Sequence, residues 1–299
     1  MQLHVRLLQR RIVTTLVGMT TTSPVVRRRR LGLELRALRE AAGLNGDEAA
    51  KRLRWSNSKL SRIELGRTRV VAADVAQLVD LYGVKDQARK DELAVLVREA
   101  NRKGWWQLYS DVPYSTYIGL EAEATTLLTY QHVIPGLFQT EEYAEAINRD
   151  PVAGVTDDGL DQQLEVRMQR QGILSKRPNP VEVRAVLDEA ALRRVVGGQE
   201  VMRAQLLKLL ELGTLPNVII QVIPFSAGAH PGTRVGPFVI LQYTHPADPD
   251  VIYIESDSDP YPDREGTAQR YGLIFDNLRS SAMSVAGTKA MIQKLVDEQ

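Results

Sequence analysis

Residues 45–66, NGDEAAKRLRWSNSKLSRIELG, constrain this chain more than any other stretch. They read as two short helices joined by a tight turn. In the second, Leu60 and Ile63 stand three apart and therefore share one side of a helix. The other side runs Asn57, Ser58, Lys59, Ser61, Arg62, all polar. Ser56 falls where an N-cap belongs, its hydroxyl able to accept from a backbone N–H of the first turn. A helix that lies in a major groove needs this division: an apolar back for docking and a short polar front for base edges.

The flanking sequence supplies the support. A first helix is predicted over 31–42, with Leu31, Leu35, Leu38 and Ala42 on one stripe and Gly43 as its end. The helix before the reading helix covers 46–53 and buries Ala49, Ala50 and Leu53. The reading helix stops at Gly66, and Arg67 and Arg69 follow, well placed for backbone phosphate. A fourth helix is predicted over 72–82, with Val75, Leu78, Val79 and Tyr82 inward. A fifth runs over 87–103 from an Asp86 cap to Gly104, with Leu93, Leu96, Val97 and Ala100 on one face.

The pattern REAAGL-x₃-EAA-x₂-L-x-WS-x-SKLSRIELGR resembles the lambda-repressor-like helix-turn-helix family. The resemblance implies five helices with the third in the major groove. It implies base-facing roles for Asn57, Ser58 and Arg62, with Lys59 and Ser61 beside them. Two positions depart from the family pattern. Gly46 stands where Gln commonly opens the second helix. Arg54 stands where the tight turn commonly has a left-handed Gly, at a cost of ~1 kcal/mol. Arg54 can return a phosphate contact in exchange.

Charge is distributed unevenly. Residues 24–69 carry 13 Lys and Arg against 5 Asp and Glu, whereas residues 70–299 carry a net charge of −10. A basic block on an acidic body points to a polyanion contact at one end. Residues 1–23 hold Arg6, Arg10 and Arg11 and no acid, but no secretory apolar core, and Met19 is a candidate start. Arg27, Arg28, Arg29 and Arg30 close a polar stretch read in two ways: an arm along phosphates or in a minor groove, or a solvated tail. The chain has no cysteine, which excludes a disulfide frame and thiolate metal sites, and its four histidines lack metal-ligand spacing. No apolar run has the length of a membrane span.

After Gly104 the composition shifts. Trp105 and Trp106 are expected at the joint between domains. Helices are predicted at 115–130, 140–149, 159–174, 188–196, 201–212, 264–282 and 288–297, and strands at 181–187, 217–223, 237–243 and 251–255. The segments WW, YIGLEAEA, VIPGLFQTEEYA, LDEAALRRVVGG, VMRAQL, LPNV-x₂-QVIPFSAGAHPG, GPF and YIE resemble the C-terminal domain of a large bacterial regulator family described as antitoxin-like. That resemblance implies regulation, a small partner protein encoded by an adjacent gene, and a cytoplasmic, nucleoid-associated location.

Catalytic chemistry is poorly supported. Ser226 and His230 share a Gly-rich loop, yet their spacing forms no nucleophile elbow and brings no third partner. Glu121 and Glu123 read as a solvated helix face or caps, and Asp188 as the cap of the helix it precedes. No phosphate-binding or dinucleotide fingerprint occurs. No enzyme, cofactor or metal is expected.

The expected architecture is α+β overall. Residues 1–30 are a disordered basic arm and 31–104 an all-α five-helix helix-turn-helix bundle. Residues 105–299 are a larger regulatory or partner-binding α+β domain with a small, mainly antiparallel sheet. The expected function is sequence-specific transcriptional regulation as a homodimer on an inverted repeat in double-stranded DNA, with a partner protein on the second domain. The alternative is a protein-interaction module, or a sensor of a small-molecule effector, for which DNA binding is secondary.

Overall fold

The computed structural model describes residues 23–109, 114–149, 156–175, 178–255, 261 and 266–298. The readings of residues 1–22, Met19 included, lie outside the described residues. The chain divides into two units, Met1–Lys103 and Gly104–Gln299.

The first unit is all-helical. Helix α1 spans Pro24–Ala41, α2 Gly46–Leu53, α3 Asn57–Glu64, α4 Ala72–Leu81 and α5 Gln87–Ala100. Helices α2, α3 and α5 each begin on a residue whose side chain holds the end. Asn45 and Glu48 form a reciprocal capping box on α2, the Ser56 hydroxyl accepts from Lys59 N at 3.2 Å on α3, and Asp86 accepts from Ala88 N at 3.0 Å on α5. The core gathers Leu31, Leu35, Ala49, Ala50, Leu60, Ile63, Val75, Leu78, Leu93 and Val97. The expected stripes largely coincide with this core, but Leu38, Leu53 and Leu96 are only half-buried and Ala42, just past the end of α1, is exposed.

One boundary is corrected. Residues 24–30 are not an arm: they form the first two turns of α1, with Ser23 as N-cap and Pro24 opening the helix. Val26 is buried. Further along the same helix, Gly32 meets α3 so closely that a Cβ there would lie 2.3 Å from the Glu64 carbonyl oxygen. That contact fixes where α1 crosses α3.

The second unit is α+β. In chain order it holds α6 (Ser115–Glu121), β1 (Thr126–Gln131), α7 (Glu141–Asn148), α8 (Asp157–Arg170), β2 (Glu182–Asp188), α9 (Ala190–Arg193) and α10 (Gln199–Leu212). Then come β3 (Val218–Ile223), α11 (Gly232–Val235), β4 (Phe238–Gln242), β5 (Val251–Tyr253), α12 (Thr267–Ser281) and α13 (Val285–Asp297). The five strands form one sheet in the order β3-β2-β1-β4-β5.

Two differences from expectation share a cause. The segment predicted as one helix over 115–130 ends at Glu121 and continues as β1. The sheet is mixed rather than mainly antiparallel: β1, β2 and β3 run parallel, while β4 pairs antiparallel with β1 and β5. Parallel neighbours need a long crossover, and α7 with α8, then α9 with α10, supply the two crossovers. A strand covered on both faces loses the polar alternation that marks it in a sequence, so TLLTYQ reads as helix.

Alternation nevertheless decides the two faces. Tyr130, Val186, Phe238, Ile240 and Ile252 pack on one side with Tyr271, Phe275 and Leu278 of α12. Leu127, Thr129, Gln131, Val183, Val239 and Tyr253 point to the other, where they line a cavity.

Candidate nucleic-acid interface

Helix α3 owes its presentation to its own composition. Leu60 and Ile63 are 2 % exposed and anchor it on α1 and α2, while Asn57, Ser58, Ser61 and Arg62 are exposed. A buried ion pair sets its far end. Arg39 of α1 donates through Nε and Nη2 to Glu64 at 2.7 and 3.0 Å, and through Nη1 to the Leu44 carbonyl at 2.7 Å. The hydrogen bond to Glu64 raises the Arg39 pKa above its ordinary value. Burial, with the nearby Glu64 carboxylate, likewise holds the Tyr82 hydroxyl protonated.

The turn before α3 is closed by Arg54 at φ 58°, ψ 36°, the left-handed conformation, which leaves its side chain exposed. Among the described residues it is the one non-glycine at positive φ. The turn after α3 uses Gly66 at φ +64°, where a Cβ would stand 2.7 Å from Arg29 Cα. The N-terminal turns of α1 therefore lie beside the C-terminal end of α3.

The proposed contact residues differ in how free they are. Arg54, Arg62 and Arg67 are exposed and have no carboxylate partner among the described residues. Asn57 donates from Nδ2 to Asp47 at 2.6 Å, which orients its amide, and the Ser58 and Ser56 hydroxyls lie 3.2 Å apart. Lys59 is engaged: its ammonium lies 2.9 Å from Asp74 and 3.7 Å from the centre of the Trp55 ring. It must leave Asp74 to reach a phosphate.

The basic run has also been sorted by folding. Arg27 pairs with Glu99 at 3.2 Å, and Arg29 and Arg30 have partners of their own. Arg28 is half-buried, and its Nε is shut from solvent with no partner. Burial, with Arg69 close by, lowers its pKa. Arg69 is held in place by Asn101, to which its Nε donates at 2.9 Å. Two guanidiniums without a carboxylate partner favour an anion beside them. Residue spacing did not reveal this arrangement. Its one legible trace was that basic residues flank both ends of the two-helix motif.

In the second unit, the residues weighed for chemistry do not assemble as a nucleophile and base. Ser226 is exposed, and no contact joins it to His230. The His230 side chain is buried, its Nε2 3.7 Å from Asp188 and its ring against Tyr130 at 5.8 Å. His132 Nε2 is 2.9 Å from the Tyr130 hydroxyl oxygen. Asp188 caps the turn that follows it, accepting from Ala190 N at 2.8 Å. Glu189 accepts from Phe225 N at 2.7 Å and from Arg193 Nε at 2.5 Å; despite burial, these bonds leave its pKa lowered. Glu121 corrects an expectation: it is not on a solvated face but 1 % exposed, in a bidentate pair with Arg170 at 2.8 Å on both bonds. Among the described residues no cluster of acidic and histidine side chains could hold a metal ion, and no helix is long and apolar enough to cross a membrane.

Comparison with known families agrees with the division of the chain. A helix-turn-helix domain model matches residues 30–93, which contain α2, α3 and α4, most of α1 and the first half of α5. That domain supports a DNA-binding regulator. A model described as a domain of unknown function (DUF5753) matches residues 114–294. Neither a curated protein nor a solved structure matches the chain. The second model spans more than half of the 299 residues, so the chain belongs to the DUF5753 family and carries a helix-turn-helix domain ahead of it.

Proposed function

We propose that the chain is a sequence-specific, DNA-binding transcriptional regulator that inserts α3 into the major groove. The observation that carries this reading is the outward polar face of α3, seated on Leu60, Ile63 and the buried Arg39–Glu64 pair and flanked by guanidiniums with no carboxylate partner. Arg62 pairs bidentately with a guanine, and Asn57 and Ser58 read neighbouring bases. Arg54, Arg67, Arg69 and Arg28 neutralise phosphate. Lys59 and Ser61 flank the reading face. Arg27, Arg29 and Arg30 act from within α1 rather than as an extended arm. The protein works as a dimer, with two reading helices about one DNA turn apart on an inverted repeat.

The many ordered segments after Gly104 that resemble an antitoxin-like regulator support a second role, the binding of a small partner protein by the second unit. In this reading the protein is bacterial and cytoplasmic, and it catalyses no reaction.

Selection of bound DNA from a random pool identifies the operator. On that site Arg62→Ala costs about 1–3 kcal/mol and costs little on random DNA. Equal losses on both remove the base-reading role. A gel shift on the upstream region, with and without the adjacent gene product, tests the partner: an unchanged complex removes it from the reading.

A further inference from the structure

The sheet face opposite α12 does not close on apolar side chains. It borders a partly open cavity of about 260 Å³ lined by β1, α6, α8 and the turn Gly136–Phe138, all within the second unit. This volume approaches the lower end of small-molecule sites, ~300 Å³.

The cavity has an apolar floor and a charged wall. Leu127, Val183 and Val239 of the sheet form the floor. Tyr117 and Tyr253 line one side with ring centres 4.6 Å apart. Two arginines one helical turn apart on α8, Arg167 and Arg170, form the wall. Their charges are not equivalent. Arg170 is neutralised by Glu121, and its guanidinium lies 5.1 Å from the Tyr117 ring centre. Arg167 meets only neutral amides: Nη1 donates to Gln139 Oε1 at 2.6 Å and Nη2 to Asn148 Oδ1 at 3.3 Å.

Two donors at this wall are unsatisfied. Arg167 Nε and the Tyr114 hydroxyl are both shut from solvent and have no partner. Buried donors without acceptors are uncommon in a native fold, and they mark where an acceptor belongs. Glu255 also lines the cavity, but it is exposed, so water and salt screen its charge. One half-buried positive charge, that of Arg167, therefore has no carboxylate beside it.

We infer that this cavity binds a small organic monocarboxylate with a planar apolar body, its carboxylate taken by Arg167 and Tyr114. A single excess charge matches a carboxylate better than a phosphate dianion. The tyrosines and the sheet floor match a flat apolar body, and the volume suits a small one. The site does not depend on DNA reading, and its test involves no DNA.

The experiment uses the full chain, with phenylacetate and indole-3-acetate as probes and their carboxamides and inorganic phosphate as controls. Binding is read by calorimetry and by the shift in melting midpoint. The carboxylates raise the midpoint and bind at least tenfold more tightly than the amides. Arg167→Gln reduces carboxylate binding at least tenfold, and Arg167→Lys restores part of it. Tyr114→Phe serves where Arg167→Gln disturbs folding. It removes a hydroxyl with no protein partner, so the free protein melts unchanged while carboxylate affinity falls threefold to tenfold. No shift with either carboxylate at millimolar concentration overturns the inference. So does equal binding of acids and amides, preference for phosphate, or full affinity in Tyr114→Phe.

Discussion

Arg54 holds a conformation that its side chain disfavours. A left-handed L-residue costs ~1–2 kcal/mol, and glycine adopts the same conformation without that cost. The turn needs the left-handed geometry to swing from α2 into α3, so retaining Arg54 there implies a use for its guanidinium. Arg54→Gly is expected to raise stability by ~0.5–1 kcal/mol, read as a higher denaturant midpoint with unchanged slope. The same variant is expected to bind operator and random DNA more weakly by a similar factor, as lost phosphate contacts do. A variant that is no more stable, or that binds unchanged, removes the argument. The strain was legible in the sequence, because the tight turn between two helices fell on a residue with a Cβ. The fates of Lys59 and Arg28 were not. Whether a cation is matched by Asp74 or left beside Arg69 depends on contacts 15 and 41 positions away along the chain.

Among elements, α1 and α3 carry the first unit. Gly32 lets their backbones touch, and the Arg39–Glu64 pair ties the ends of both helices to the Leu44 carbonyl. Removing one member of a buried pair strands the other. Glu64→Gln is therefore expected to destabilise this unit by ~3–5 kcal/mol. Leu60 and Ile63 keep their places, so any loss of DNA binding should disappear once unfolding is allowed for. Chemical denaturation followed through a two-state fit measures it, and a cost below 1 kcal/mol contradicts a structural role for the pair. Element reading succeeded where periodicity and caps agree, as at Ser56 and Asp86. It failed at the start of α1, where Ser23-Pro24 is a good helix signal but four arginines in succession oppose the helix dipole and suggest a solvated arm. It failed again at β1, where burial on both faces erased the alternation. The parallel pairing was hidden for a related reason. Strand direction follows from the crossovers, and helices between strands are compatible in sequence with either pairing until their path across the sheet is known.

For the whole molecule, net charge conceals what folding leaves available. The chain carries +1 in total, yet residues 24–69 hold 13 basic side chains. Arg27, Arg36, Arg39 and Lys59 have carboxylates at 2.7–3.2 Å and neutralise themselves. Arg28, Lys51, Arg52, Arg54, Arg62, Arg67 and Arg69 have none among the described residues. Cations of the second group can displace counterions from DNA without first breaking an ion pair. Each phosphate they neutralise contributes about −0.9 to the slope of log K against log salt concentration. Arg28→Gln and Arg67→Gln are each expected to make that slope shallower by about one per site occupied, with a similar effect on operator and random DNA. Arg27→Gln removes the same formal charge but frees Glu99, so it is expected to weaken binding without the same change in slope. Fluorescence anisotropy over a series of salt concentrations separates these outcomes. If Arg27→Gln flattens the slope as much as Arg67→Gln does, net charge rather than the folded arrangement of ion pairs governs the contact, and the sorting of cations by the fold has no bearing on how the protein meets DNA.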